Sequence, residues 1–169
     1  MRNIPTRGAI APGAALLMLA AAGPAGAATT GSTLNVSADV TSNCTVSTSA
    51  LAFGSVNVIG GGNVDGSGGL TVTCTSGTAW SAAAGVGAGT GASFASRRMT
   101  AGSNQLGYNL YTSSGYSTVW GDGTGGTSLL SGTGTGGAQS VAVYGRVGSG
   151  QASVPAGSYA DTVAITVTY

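Results

Sequence analysis

Few side chains in this sequence can do chemistry, and the missing types narrow the functions open to it. There is no histidine, glutamate or lysine, so the charged set is four aspartates and five arginines, beside two cysteines and six tyrosines. General acid–base catalysis needs a group titrating near neutrality, and a nucleophile needs a base within hydrogen-bond reach. Asp39, Asp65, Asp122 and Asp161 lie far apart in sequence with no base beside them, so no enzyme is expected. Asp65 and Asp122 each precede a glycine in a glycine-rich stretch. Calcium takes about six to eight oxygens from several carboxylates, so both are read as turn residues and neither metal nor other cofactor is expected. Arg97, Arg98 and Arg146 are the only cations after the first few residues, too few to neutralise a run of phosphates, which excludes nucleic acid as a partner. Solvated loop or strand-edge positions are expected for them.

The cysteine chemistry depends on compartment, and the N-terminus addresses that. Arg2 and Arg7 precede an apolar stretch, Ala14 to Gly23, centred on Leu16-Leu17-Met18-Leu19, and Ala25-Gly26-Ala27 has the small-x-small form of a cleavage site. Residues 1–27 therefore read as a secretory signal peptide cleaved near Ala27. The apolar run falls short of the roughly 20 residues of a spanning helix, and no cysteine follows the cleavage site to carry a lipid. In an oxidising compartment Cys44 and Cys74, the only cysteines, are expected to form one disulfide, since a metal site would need further ligands. Closing that loop stabilises the fold by about 3–4 kcal/mol in the chain-entropy model.

The elements that must position these residues fall within 28–169, a length that suits one domain. Charged residues are 5% of the chain, against about 25% in ordinary globular proteins, and 32 glycines separate short alternating apolar runs. The last run is the clearest: Val163, Ile165, Val167 and Tyr169 fall on one face, Ala164, Thr166 and Thr168 on the other, and then the chain stops. An apolar strand there leaves an edge open to pairing with another strand. A second clean alternation, Leu34, Val36, Ala38 and Val40, lies within residues 28–43, ahead of the disulfide. On the residues alone it reads equally as the first strand of its own domain or as a strand donated to another sheet. Further strands are expected at Leu70 to Cys74, Trp80 to Ala84, Arg97 to Thr100, Leu106 to Leu110 and Val141 to Gly145, with Tyr116 to Trp120 pairing beside Leu106 to Leu110. Gly60 to Gly69 reads as a turn and Gly121 to Gly137 as a long loop. No helical period is sustained, and short strands between frequent turn signals argue an all-β sandwich.

Cys44-Thr45-Val46, Leu51-Ala52-Phe53-Gly54, Val72-Thr73-Cys74-Thr75, Trp120-Gly121, Val143-Tyr144-Gly145-Arg146-Val147 and Pro155-Ala156-Gly157-Ser158-Tyr159-Ala160-Asp161-Thr162-Val163 resemble the spore coat protein U domain. That family includes the Csu-type pilins of archaic chaperone–usher systems. The resemblance implies an incomplete immunoglobulin-like sandwich, residues 44–169, completed by a donor strand. A periplasmic chaperone lends that strand, and an outer-membrane usher exchanges it for the N-terminal extension of a neighbouring pilin subunit. On this basis Leu34, Val36, Ala38 and Val40 are the donor residues, and Val163, Ile165, Val167 and Tyr169 line the acceptor groove. The product is a pilus or coat fibre on the cell surface, reached through the periplasm. The alternative is a self-contained, secreted carbohydrate- or surface-binding sandwich with Trp80, Trp120, Tyr111 and Tyr116 as stacking residues. Tyr159 is read either as a tyrosine corner or as an ordinary half-buried tyrosine.

Overall fold

The computed structural model describes residues 23–169, so most of the expected signal peptide lies outside the described residues. The described residues divide into two units, 23–38 and 39–169. Residues 23–38 form no regular secondary structure. The second unit holds eight strands and, among the described residues, no helix: β1 (Cys44–Ser49), β2 (Val64–Cys74), β3 (Ala79–Ala84), β4 (Arg97–Ala101), β5 (Asn104–Tyr111), β6 (Leu130–Thr133), β7 (Ala138–Val147) and β8 (Ile165–Thr168). They make two antiparallel sheets, β1-β2-β7-β5-β4 and β6-β3-β8, stacked as an immunoglobulin-like sandwich.

The alternation read from sequence is what closes the two layers. Leu70, Val72 and Cys74 from β2, Leu106, Tyr108 and Leu110 from β5, and Val143 and Val147 from β7 are buried on one side. Trp80, Ala82 and Ala84 of β3 and Leu130 of β6 are buried on the other. Trp120 fills the space between, 2% exposed, and its indole Nε1 donates to Ala82 O at 2.9 Å. That acceptor offsets the cost of burying the indole N–H. Cys44 and Cys74 are cross-strand partners at the end of the β1–β2 pair and form the disulfide.

Four local expectations are corrected. Gly60 to Gly69 is not a turn throughout: β2 starts at Val64, and Gly66 and Gly68 lie in it because Leu51 and Phe53 occupy the space above. A Cβ on Gly66 would lie 3.1 Å from Leu51 Cδ2, and one on Gly145 of β7 would lie 2.8 Å from that atom and 2.9 Å from Phe53 Cζ. Within Gly121 to Gly137, β6 pairs with β3, and Gly132 is a glycine because the Trp80 ring lies where its side chain would be. Asp65 is a strand residue rather than a turn residue, held by both Nε and Nη2 of Arg146 at 2.6 and 2.8 Å. Arg97, expected in solvent, is fully buried. It donates to Gly85 O from Nε and Nη2 at 2.9 and 2.8 Å, to Trp120 O at 2.7 Å and to Asn109 Oδ1 at 2.6 Å. Those acceptors replace the water a buried guanidinium loses. Asp122 does sit in a turn, its Oδ1 accepting from the amide and hydroxyl of Thr124.

Candidate functional site

β8 pairs through Ile165–Thr168 with Ala84–Ser81 of β3, and its other edge meets no strand among the described residues. Ile165 and Val167 are half-buried while Thr166 and Thr168 are exposed. Val163, Ile165 and Val167 all pack against the core, whereas Tyr169, at the end of the row, is 56% exposed. Upstream, the same segment belongs to the other sheet: Ala160 and Thr100 of β4 exchange backbone hydrogen bonds at 2.8 and 3.1 Å. Gly85 N then donates to Ala164 O at 2.9 Å, beside β3. The chain therefore crosses between sheets over Asp161 to Ala164, and Val163 and Ile165 line a cavity of about 390 Å³ along this crossing.

The opposite wall is the continuation of β1. Thr48 to Leu51 and Phe53 face the same cavity, whose floor includes Tyr108, Leu110 and Val143. No residue from Ala50 to Val58 makes a backbone–backbone hydrogen bond among the described residues. Nine successive residues thus present unpaired main-chain groups, although Leu51, Phe53, Val56 and Val58 insert their side chains against the core. Val46, beside Val72 in the β1–β2 register, is 43% exposed. One wall is thus the unpaired edge of strand β8, and the other is irregular, half-exposed backbone without backbone–backbone hydrogen bonds among the described residues. A second cavity of about 560 Å³ adjoins the first at Phe53 and Met99 and is lined by Val56, Val58 and Val154.

One end of the groove is polar. Asp161 Oδ2 accepts from the Tyr108 hydroxyl at 2.7 Å, and its Oδ1 accepts from the amides of Ala88 and Thr162 at 2.7 and 2.8 Å. Burial, with the Asp161 carboxylate beside it, pushes the Tyr108 phenol well above its ordinary range, so it stays a donor. Burial pulls Arg97 below its usual value, opposed by the nearby Tyr108 and Asp161.

Of the residues singled out from sequence, Val163 and Ile165 line the cavity, Val167 packs against the core, and Tyr169 lies in solvent. Leu34, Val36 and Val40 are 87%, 85% and 86% exposed, and Ala38 is exposed as well. Residues 28–43 form no strand. The base of this extension is fixed: Asn43 O accepts from Thr75 N at 2.9 Å, and Ser42 Oγ accepts from Thr78 Oγ1 at 3.3 Å. Trp80 and Trp120 are core residues, 4% and 2% exposed, and cannot stack on a ligand. Tyr111 and Tyr116 meet edge to face at 5.5 Å, and the Arg146 guanidinium lies 3.7 Å from the centre of the Tyr116 ring. The Tyr159 hydroxyl donates to Pro155 O at 2.8 Å, the back-bond of a tyrosine corner. Sequence reasoning missed the β1 side of the groove, although Leu51 and Phe53, and after them Val56 and Val58, stand two residues apart.

The described residues form a two-layer β-sandwich in which β8 is an edge strand. Residues 30–166 match the family described as the Spore Coat Protein U domain. The chain is 38% identical over 176 residues to "Protein U" of Myxococcus xanthus, covering 95% of this chain and 97% of that protein. The chain belongs to the spore coat protein U domain family. Its fold is similar to that of a chain in the CsuC–CsuE chaperone–tip adhesion subunit pre-assembly complex from the archaic chaperone–usher Csu pili of Acinetobacter baumannii. The TM-score is 0.54 at 21% identity, over 77% of this chain and 40% of that one. At that identity the likeness establishes the shared sandwich fold.

Proposed function

We propose that this protein is an exported structural subunit that polymerises by donor-strand exchange into a pilus or coat fibre. The observation that carries the reading is the groove: a cavity of about 390 Å³ between the unpaired side of the β8 segment and the unpaired backbone that follows β1. A strand laid there can hydrogen-bond to both walls while alternate side chains fill the cavity, the recognition mode of strand addition. The donor is the extension within residues 28–43, with Leu34, Val36, Ala38 and Val40 pointing into the groove of the next copy. Their period is that of a strand with one dry face, and their exposure leaves them available. Residues 1–27 are the signal peptide, and residues 44–169 are the sandwich that receives the donor. A periplasmic chaperone occupies the groove before assembly, a reading supported by the chaperone named in the structurally similar complex. An outer-membrane usher then exchanges that strand for the next subunit's extension.

Assembly of secreted variants tests this. Val36→Asp places a carboxylate in a dry pocket, at a cost of several kcal/mol, and should abolish fibres while subunit still accumulates in the periplasm. Ser37→Asp, on the opposite face of the strand, should assemble normally. Equal assembly of the two would rule out this donor.

A further inference from the structure

We infer that Asp161 is a positioning residue of the groove, holding the wall that carries Val163 and Ile165 where the chain leaves one sheet for the other. The inference rests on the donor-strand reading above. Ala160 is bonded to β4 and Ala164 to Gly85, but residues 161–163 between them make no backbone–backbone hydrogen bond among the described residues. The Asp161 side chain supplies the missing attachment. Through Tyr108 it is tied to β5 of the five-stranded sheet, through Ala88 to the loop that leaves β3, and through Thr162 to its own segment. Gly87 passes so close to this carboxylate that a Cβ there would overlap it. Arg97 fixes the start of the same loop by donating twice to Gly85 O.

A carboxylate beside an apolar groove is costly unless its oxygens are satisfied, and three donors at 2.7, 2.7 and 2.8 Å satisfy this one. Charge-assisted bonds of that kind fix geometry more firmly than neutral ones. The wall is thereby set before a strand arrives. Without Asp161 the incoming strand must order residues 161–163 as it binds, and affinity falls by that cost.

The test uses the full chain and a synthetic peptide of residues 28–42 as the donor probe, with binding followed by fluorescence anisotropy. Asp161→Ala should weaken peptide binding about tenfold or more. Tyr108→Phe, which removes one of the three bonds, should weaken it less, and the double variant should bind no more weakly than Asp161→Ala alone. Arg146→Gln, which breaks an ion pair away from the groove, controls for lost stability and should bind as the wild type does. Binding by Asp161→Ala within twofold of wild type overturns the inference, as does equal weakening by Arg146→Gln. If Asp161→Ala does not fold, Tyr108→Phe decides: weakened binding supports the inference and wild-type binding overturns it. A wild-type chain that ignores the peptide overturns the donor-strand reading and this inference together.

Discussion

At the scale of single residues, Arg97 shows how a chain with almost no charge uses one. Its guanidinium has no carboxylate partner and instead donates to carbonyls of Gly85 and Trp120 and to Asn109 Oδ1, tying together segments far apart in sequence. Arg97→Met keeps much of the volume but strands those acceptors. It should cost about 3 kcal/mol or more, read by urea unfolding; a loss near zero would mean that water replaces the guanidinium. The exposed acids make a different prediction. Asp65, held by Arg146, and Asp122, held by Thr124, both lie below the ordinary carboxylate value of 3.8. A depressed folded value means that their contribution is complete above that pH and is lost as pH falls through the lower, folded values. With no histidine in the chain, the thermal midpoint should stay level between about pH 5 and 8 and drop only in stronger acid. A step near pH 6 would contradict this.

At the scale of elements, the glycine floor under Leu51 and Phe53 is the feature most open to test. Gly145→Val puts a branched side chain where those two residues sit. Overpacking of this kind costs about 1–3 kcal/mol, and here it should also displace residues 51–53 and weaken binding of the residue 28–42 peptide. Unchanged peptide affinity would show that this wall takes no part. Reduction of the Cys44–Cys74 bond, which closes a separation of 30 residues, should lower stability by about 3–4 kcal/mol as measured by denaturation with and without reductant. The same elements explain what could be read in advance. Leu70 to Cys74, Trp80 to Ala84 and Leu106 to Leu110 were legible because apolar side chains fill every second position of a half-buried strand. The first half of β2 and all of β6 were not, because their small inward positions are dictated by Leu51, Phe53 and Trp80, which approach from elsewhere in the chain. Arg97 was illegible for the same reason, since its acceptors come from distant segments.

At the scale of the whole molecule, β8 has an unpaired edge among the described residues, and a separate stretch of sequence, Leu34 to Val40, alternates with the period of a strand. That stretch was legible only as an alternation. Whether it serves its own domain or a neighbour is a question of partners rather than of local pattern. The direct measurement is cysteine trapping between two distinguishable populations of otherwise wild-type chain, one carrying Val36→Cys, the other carrying Val163→Cys or Ile165→Cys. The account predicts a disulfide-linked species containing one chain of each kind, formed on assembly and absent when Ser37→Cys replaces Val36→Cys. Failure of every donor–groove pair to cross-link in assembled fibres, or equal cross-linking from Ser37→Cys, would contradict it.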